Sequence, residues 1–495
     1  MRIRVVVTAS GKHALQVVSK RSGIVTVHKH IGTYGNSSEK AFLYKKARDY
    51  IQSYTGQGSF DDYITSPSLA DIIVTQSRPL FAYELISRCY DKLGFARYPD
   101  PIIKDLVIAR LYHPASKREL REHIYESLGR HYSLRTIYRH VKRSLETGIQ
   151  EQFQEALITF ARQGLGDTLQ LVFYDVTTLY FDSQVRTTLK DFGFSKDHRS
   201  GNTQIVIGLV VNQQGFPLYF DVFSGKTFEG HTLITVIQNI QTLLQAPELI
   251  VVADSAMLSQ ENIDRLVAKE IGFIVGARLA NLPLSLIDQI HDKLNKQDNN
   301  IALFTYRSQR LVCQYSEKRA VKDRYDRNRQ IEKAKKVIDS PSKVMGRYRF
   351  VKKTKDLKYL INTELIEKAG KLEGVKGYIT NTTLDAQIVI DRYHDLWHIE
   401  NSFRITKSDL QARPIFHHLD ETIKAHMVLV FAGLAISKYI EQSTGMSINK
   451  VLQYSSRILT HTMLNTKTGE KIDKETTIEN PLLKQVIERL RVVGH

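Results

Sequence analysis

The chain has 495 residues, enough for about two to four domains, and 42% of them are hydrophobic, which suffices to build buried cores. Lys and Arg number 70 against 52 Asp and Glu, so the formal net charge is +18. Such a surplus favours a polyanionic partner, above all nucleic acid, although a basic enzyme with no such partner stays open. The two cysteines, Cys89 and Cys313, argue against a disulfide framework and fit a reducing cytoplasm.

The apolar segments of the sequence do not suggest a secreted or membrane-spanning protein. The opening segment MRIRVVVTASGKH lacks a long apolar stretch, so we expect no secretion signal. The most apolar stretch runs from Met427 to Ile436, too short to span a bilayer, and is predicted to be a buried core helix.

The first third of the chain changes from strand to helix. Residues 1–60 carry short β-branched runs around a Gly-containing turn and then a polar helix at about 39–52. Residues 61–160 are predicted to be helical, with breaks at 114–116 and at Gly129 and a helix cap at Ser133.

The helix that follows Ser133 is amphipathic. Its apolar side chains recur at helical spacing, and its other face is basic, with Arg135, Arg139, His140, Lys142 and Arg143. Short helices with a basic final one favour a helix-turn-helix DNA reader, and a plain helical bundle with a solvated basic face is an equal alternative.

From residue 169 the pattern becomes that of a sheet. Strands are predicted for LQLVFYD, which ends at Asp175, for 204–211, for 217–223, for ELIVVAD, which ends at Asp254, and for 272–278. Helices are predicted at 232–244 and 261–269. Three hairpin-linked strands followed by strand–helix units indicate a mixed sheet with helices on its faces.

Residues 290 to about 375 interrupt that rhythm. Between Lys318 and Lys353 there are 14 Lys or Arg against 4 Asp or Glu, a net charge of +10. Strand-like pieces flank a charged helical middle, so we predict an insertion that stands apart from the sheet. Apolar strand character returns at 377–382, a long helix is predicted from about 384 to 410, and the rest of the chain is predicted to be mostly helical, with a polar break near 463–475.

Two carboxylates follow apolar strands. Asp175 and Asp254 would lie at the carboxyl ends of buried strands, where open α/β sheets place their sites. Two such negative charges need a shared cation, and oxygen-only ligands suit Mg²⁺ or Mn²⁺. A strand-ending Asp is more often a turn or cap residue, so neither Asp is decisive alone.

A third carboxylate lies on the long predicted helix. Tyr393, Glu400 and Lys407 are seven residues apart and fall on one helix face. A Glu on a largely apolar face needs a partner such as a metal ion, and an ordinary ion pair with Arg404 is the alternative.

Four blocks of the sequence together resemble a known family. They are YDVTTLYFDS, SKDHRSGNTQIVIGLVVNQQGFPLYFDVFSGKTFEGHTL, VVADSAMLS and YHDLWHIENSFRITKSDLQARPIFHH. They are similar to bacterial insertion-sequence transposases of the Asp-Asp-Glu type, in the branch with a β-strand insertion before the Glu. The resemblance covers roughly residues 160 to 430. The branch carries a Tyr-Arg-Glu-Lys helix signature, and Leu396 stands here at the Arg position. Either Arg392 or Arg404 supplies the contact instead, or the subgroup does without it.

The resemblance implies a fold and a division of the chain. The fold would be α/β, with a ribonuclease-H-like mixed-sheet catalytic core at 165–290 and 376–425. A basic, β-rich insertion at 291–375 would lie close to the active site and touch DNA. A small β-rich region at 1–60, a helical region at 61–160 and a C-terminal helical region at 426–495 would complete the chain.

The resemblance also implies residue roles. Asp175, Asp254 and Glu400 would hold two divalent ions, Mg²⁺ or Mn²⁺, while Tyr393 and Lys407 would contact phosphates at the transposon end. Partners would be double-stranded DNA and a second copy of the chain, in the bacterial cytoplasm at the nucleoid. Arg413, just beyond the signature helix, is a further candidate phosphate contact.

Three other readings remain open. A nuclease that never joins DNA shares the same metal site, and a DNA-binding regulator could keep a degenerate core. A recombinase with a Ser or Tyr nucleophile is disfavoured, because Tyr174 and Tyr180 fit strand alternation. The polar run from Ser195 to His198 predicts a structured loop near the site rather than a catalytic triad.

Overall fold

The computed structural model describes residues 1–21, 23–55, 71–196, 199, 201–246, 248–255, 259–339, 348–353, 359–413 and 415–492. The chain divides into two compact units. The smaller comprises Met1–Ser77 with His461–Lys474, and the larger comprises Arg78–Thr460 with Glu475–His495.

The smaller unit begins with an antiparallel meander. Its elements are β1 (Arg2–Val7), β2 (His13–Arg21), β3 (Ile24–Tyr34), α1 (Ser37–Thr55) and β4 (Ile72–Arg78). Leu15, Val17, Tyr34 and Ala47 form a small core between α1 and the meander. The strands and the polar helix predicted within residues 1–60 are therefore confirmed. The prediction that residues 61–160 are helical is wrong for β4, which is a strand.

The larger unit begins with helices whose ends follow the capping signals. They are α2 (Leu80–Lys92), α3 (Pro101–Tyr112), α4 (Lys117–Leu128), α5 (Leu134–Glu146) and α6 (Ile149–Gly164). The hydroxyls of Ser116 and Ser133 accept backbone N–H bonds at the starts of α4 and α5, and Gly129 ends α4 with φ +71°. The predicted breaks at 114–116 and Gly129 are confirmed.

A mixed sheet forms the centre of the larger unit. Its first elements are β5 (Leu171–Tyr180), β6 (Gln204–Val211), β7 (Pro217–Ser224), α7 (Glu229–Leu244), β8 (Ile250–Ala253), α8 (Gln260–Ala268) and β9 (Gly272–Gly276). Strands β5, β6 and β7 pair antiparallel, whereas β8 and β9 run parallel to β5. The spatial order β7-β6-β5-β8-β9 is that of a ribonuclease-H-like α/β core, as predicted.

The basic segment adds both helices and strands. Its elements are α9 (Leu284–Leu294), β10 (Ile301–Tyr306), β11 (Gln309–Tyr315), α10 (Glu317–Asp339), β12 (Val351–Lys353), β13 (Tyr359–Ile361), α11 (Thr363–Lys371) and, beyond it, β14 (Val375–Thr380). Strands β10, β11 and β14 extend the main sheet beyond β9, giving eight strands in the described part of the chain. The prediction that the segment stands apart from the sheet is wrong for β10 and β11, because β14 offers β11 an open edge.

The long helix predicted for 384–410 is broken into shorter pieces. It consists of α12 (Ala386–His394), α13 (Trp397–Arg404) and a π-helical turn at Ile405–Asp409. Asp395 and Leu396 separate α12 from α13 with backbone angles that remain close to helical. The prediction of a single continuous helix is therefore wrong.

The remaining elements are α14 (Asp420–Thr444), α15 (Ile448–Ser455), β15 (Thr460–Asn465), β16 (Lys471–Glu475) and α16 (Pro481–Val492). The polar break near 463–475 is a hairpin, β15-β16, which pairs with β4. Helix α14, which contains Met427 to Ile436, packs against α3, α5 and β7. Among the described residues it alone is long and apolar enough to cross a membrane, but 94% of its most apolar window is buried in the protein, as predicted for a core helix.

Candidate active site

Asp175 and Asp254 lie side by side on adjacent parallel strands. The register pairs Tyr174 of β5 with Ala253 of β8, and each Asp is the next residue along its strand. Asp254 directly follows β8 as predicted, but β5 continues to Tyr180, so the prediction that Asp175 ends its strand is wrong. What ends at Asp175 is the parallel pairing, because β8 stops there while β6 supports β5 for five more residues.

The carboxyl group of Asp175 is mostly buried and holds its proton more tightly than usual. Burial raises the pKa of Asp175 to about 6, and the negative charges of Asp254 and Glu229 act in the same direction. The ammonium of Lys196 and the backbone N–H of Val176 act against that rise. Several carboxylates therefore share a small volume with too little positive charge to balance them, and this favours a cation.

Tyr393 connects Asp254 to the helix that precedes Glu400. The Tyr393 hydroxyl donates a hydrogen bond of 3.2 Å to Oδ1 of Asp254, and its ring packs on Tyr378 at 4.9 Å between centroids. Burial raises the pKa of Tyr393 well above its ordinary value, and the charges of Asp254 and Glu400 add to the rise. The phenol therefore stays protonated and lies within electrostatic reach of both acids.

Glu400 lies on α13 with its side chain exposed, facing the same region as Tyr393. Among the described residues, however, no group of three or more His, Cys, Asp or Glu side chains is arranged to hold a metal ion. The sheet brings Asp175 and Asp254 together. Glu400 is close enough to Tyr393 for its charge to act on the phenol, but it does not join the two aspartates in a metal-binding group. The oxygen donors and their excess negative charge fit a hard divalent cation such as Mg²⁺ or Mn²⁺.

Sequence reasoning missed two charged groups at Asp175. Nζ of Lys196 lies 3.8 Å from Oδ1 of Asp175 and 3.2 Å from Oε1 of Glu229, the first residue of α7. The polar run that begins at Ser195 was the signal for Lys196, and two of its members, Asp197 and His198, lie outside the described residues. Glu229 gave no usable signal, because a Glu in the first turn of a helix is common for helix-dipole reasons alone.

The other predicted DNA contacts occupy different environments. Arg404 is exposed and donates to the side chain of Asn401, and Lys407 is half-buried in the π-helical turn. The guanidinium of Arg413 lies over the ring of Tyr180 at 5.8 Å. Arg392 is engaged with Asp395 at 3.2 Å, so of the two candidates to replace the missing arginine, Arg404 has the more exposed guanidinium.

The position at which the resembled transposases carry arginine is part of the core here. Leu396 is 8% exposed and packs in the main hydrophobic cluster, while the next residue, Trp397, is 54% exposed. The leucine therefore contributes packing at the junction of α12 and α13.

The basic face of α5 points outward as predicted. Arg135, Arg139, Lys142 and Arg143 are exposed, whereas Ile137 and Val141 are buried. Nδ1 of His140 is engaged in a hydrogen bond of 2.7 Å with Oδ2 of Asp100, so His140 does not belong to the exposed basic face.

The sheet order and its paired aspartates place the chain among α/β proteins with a ribonuclease-H-like catalytic fold. A family model described as "Transposase DDE domain" matches residues 169–436, a little more than half of the chain. The chain therefore belongs to the family of transposases with a DDE domain, as the sequence resemblance indicated.

Solved structures similar to this chain include one of a transposase bound to DNA. The cryo-EM structure of piggyBac transposase in a synaptic complex with hairpin DNA is similar over 77% of this chain and 79% of that chain, with 8% sequence identity and a TM-score of 0.39. No curated protein sequence matches this chain.

Proposed function

We propose that this transposase cuts DNA at transposon ends and joins the freed 3′-hydroxyl to target DNA. Asp175, Asp254 and Glu400 would hold two divalent ions, Mg²⁺ or Mn²⁺. The observation that carries the proposal is the parallel register of β5 and β8, which sets Asp175 and Asp254 next to each other. Negative charge is in excess there, because the carboxylates outnumber the nearby positive charges. Bound divalent ions would supply Lewis-acid stabilisation to the oxygens of the scissile phosphate.

The chain's own groups would position the reactants. In cleavage, a water oxygen forms a bond to phosphorus as the 3′ oxygen leaves and takes up a proton. In joining, the 3′-hydroxyl oxygen forms a new ester with a target phosphate, the target's own 3′ oxygen leaves, and no bond to the protein forms. The Tyr393 hydroxyl donates its hydrogen bond to Asp254 and would keep that carboxylate in place.

Double-stranded DNA would lie across this edge of the sheet. Tyr393 and Lys407 would contact phosphates near the cut, with Arg404 and Arg413 as further contacts. The basic insertion would lie close to the active site and touch DNA, and the exposed face of α5 would hold DNA farther from the cut. Pairing of two ends would use a homodimer, acting at the nucleoid in the bacterial cytoplasm.

The first test is cleavage of a duplex that carries the inverted repeat bordering the reading frame, with Mg²⁺ present. Asp175→Asn, Asp254→Asn and Glu400→Gln should each lower the cleavage rate by roughly 10³-fold or more while DNA binding persists. Asp182→Asn, an acid of the same strand-and-loop region, is the matched control and should cleave normally. Cleavage retained by any one of the three variants would remove that residue from the site.

A second test separates a transposase reaction from simple hydrolysis. A pre-cut end with a free 3′-hydroxyl is incubated with plasmid target and Mg²⁺, and joined products are measured. A nuclease would cut the first substrate and give no joined product, whereas a regulator with a degenerate core would do neither.

A further inference from the structure

The ammonium of Lys196 occupies the position of a cation among the acidic side chains. It lies 3.2 Å from Oε1 of Glu229 and 3.8 Å from Oδ1 of Asp175, and it donates a hydrogen bond of 2.5 Å to the carbonyl oxygen of Val176. The contact with Asp175 is too long for a hydrogen bond, so the two charges attract each other without a directional bond.

The backbone around Lys196 is held in position by contacts with the sheet. The N–H of Lys196 donates to Oγ1 of Thr178 on β5, and the carbonyl of Phe194 accepts from the side chain of Gln204 on β6. Gly193 passes so close to Gly225 that a Cβ on it would lie 2.0 Å from the Gly225 carbonyl oxygen. These contacts fix the backbone of the loop and so place Lys196 beside Asp175.

Glu229 is the stronger of the two ionic partners. Its Oε1 is fully buried and has no hydrogen bond within the described residues, so the ion pair with Lys196 is what compensates its charge there. A buried carboxylate without a counter-charge is costly, which ties the Lys196 ammonium to Glu229. Asp175 therefore shares the Lys196 ammonium with Glu229, which is its main partner.

We propose that Lys196 is an internal counterion that competes with divalent metal for Asp175, and that Glu229 draws it back when metal binds. The inference rests on the proposed role of Asp175 as a metal ligand. In the metal-free protein the ammonium lowers the repulsion among Asp175, Asp254 and Glu229. When a divalent ion binds, Lys196 stays paired with Glu229, close enough to meet an incoming phosphate but no longer needed by Asp175.

The measurement is binding of Mn²⁺ to the full chain without DNA, by electron paramagnetic resonance or calorimetry. Lys196→Met should bind Mn²⁺ roughly tenfold or more tightly, because a competing positive charge has been removed. Lys196→Arg, which keeps the charge, should stay near wild type. Lys226→Met is the matched control, since Lys226 is 72% exposed and pairs with Asp191 in a neighbouring loop.

Glu229→Gln provides the second arm. It should weaken Mn²⁺ binding, because the released ammonium turns to Asp175, and it should have little effect when combined with Lys196→Met. If Glu229→Gln weakened binding equally in the Lys196→Met background, Glu229 would be a direct metal ligand and the counterion proposal would be wrong. Unchanged or weaker Mn²⁺ binding by Lys196→Met would also overturn it.

These outcomes are distinct from failure of the proposed function. If Asp175→Asn left Mn²⁺ binding of the wild-type background unchanged, Asp175 would not be a metal ligand and the active-site assignment itself would fail. The melting temperature gives an independent readout. Lys196→Met should melt lower than wild type without metal and gain more from added Mn²⁺, whereas a lysine that serves only DNA contact would move neither value.

Discussion

At the residue scale, Leu396 is the point where this chain departs from the pattern of the transposases it resembles. Its side chain is buried in the main core at the junction of α12 and α13. An arginine placed there would carry its charge into a region of apolar side chains. The departure is therefore a matter of packing, and the contact made by arginine elsewhere must come from another residue if it is made at all.

Restoring the arginine should harm the protein. We expect Leu396→Arg to lower the free energy of unfolding by about 3 kcal/mol, because it buries an unpaired charge and displaces a packed side chain. Chemical denaturation followed by circular dichroism measures the change. Trp397→Arg, at the exposed neighbouring position, should change stability far less. A Leu396→Arg protein of wild-type stability would show that the guanidinium reaches solvent or DNA.

At the scale of elements, a cluster of buried basic side chains joins three helices to the segment after the π-helical turn. It consists of Arg110 on α3, Lys117 on α4, His426 on α14 and the half-buried His417 in the segment before α14. Nζ of Lys117 lies 2.8 Å from Nε2 of His417. Burial, together with the neighbouring positive charges, lowers the pKa of Lys117 to about 7 and that of His417 to about 3. Burial also lowers the pKa of His426 well below its ordinary value, with Arg110, Lys117 and His417 adding to the effect.

This cluster sets the direction of the acid response. His417 and His426 bind protons more weakly in the folded than in the unfolded chain, so unfolding takes up protons below about pH 6.5. The free energy of unfolding should therefore fall as pH falls from about 6.5 toward 3, by up to about 1.4 kcal/mol per pH unit for each proton. The raised pKa of Asp175 opposes this between about pH 6 and 4, so variants must be compared with wild type.

The test is the pH dependence of unfolding in His426→Leu. Its slope between pH 6.5 and 4 should be shallower than that of wild type by up to one proton. His418→Leu, at an exposed neighbouring position, controls for the loss of a histidine. Equal slopes in His426→Leu and wild type would mean that His426 is no more difficult to protonate in the folded protein than in the unfolded one.

At the scale of the whole molecule, the net charge of +18 predicts that binding to DNA depends strongly on salt concentration. Each phosphate neutralised by Lys or Arg releases a counterion, so affinity falls steeply with salt. If six to ten phosphates are contacted, affinity should fall by about 10³- to 10⁵-fold between 50 and 200 mM salt. Titration of a labelled duplex at several salt concentrations gives the slope, and a slope near zero would contradict a role for the basic surface.

The same titration decides between the two readings of α5. Arg139→Ala, on its exposed basic face, should reduce the slope by about 0.9 if that face contacts a phosphate. Arg265→Ala is the control, because Arg265 is already paired with Glu261 at 2.6 Å. An unchanged slope for Arg139→Ala would favour the plain helical bundle.

The sequence by itself determined the features that depend on short stretches of chain. Strand periodicity located β5 to β9. Capping residues located the start of α4, the end of α4 and the start of α5. A family resemblance singled out Asp175, Asp254 and Glu400. These signals are readable because hydrogen bonding within a turn and the alternation of buried side chains are local. The strand and helix pattern also predicted a mixed sheet with helices on its faces, and the family resemblance implied that this sheet is ribonuclease-H-like.

Only the tertiary structure decided how distant segments meet. The register of β5 against β8 sets Asp175 beside Asp254, β11 finds the open edge of β14, and a loop fixed by Thr178 and Gln204 brings Lys196 to Glu229. Each of these depends on contacts between segments far apart in the chain, whose energies come from the packing of the whole sheet. The polar run that begins at Ser195 predicted a loop near the site, but no local pattern could predict that Lys196 pairs with Glu229, because the two residues lie far apart in the sequence.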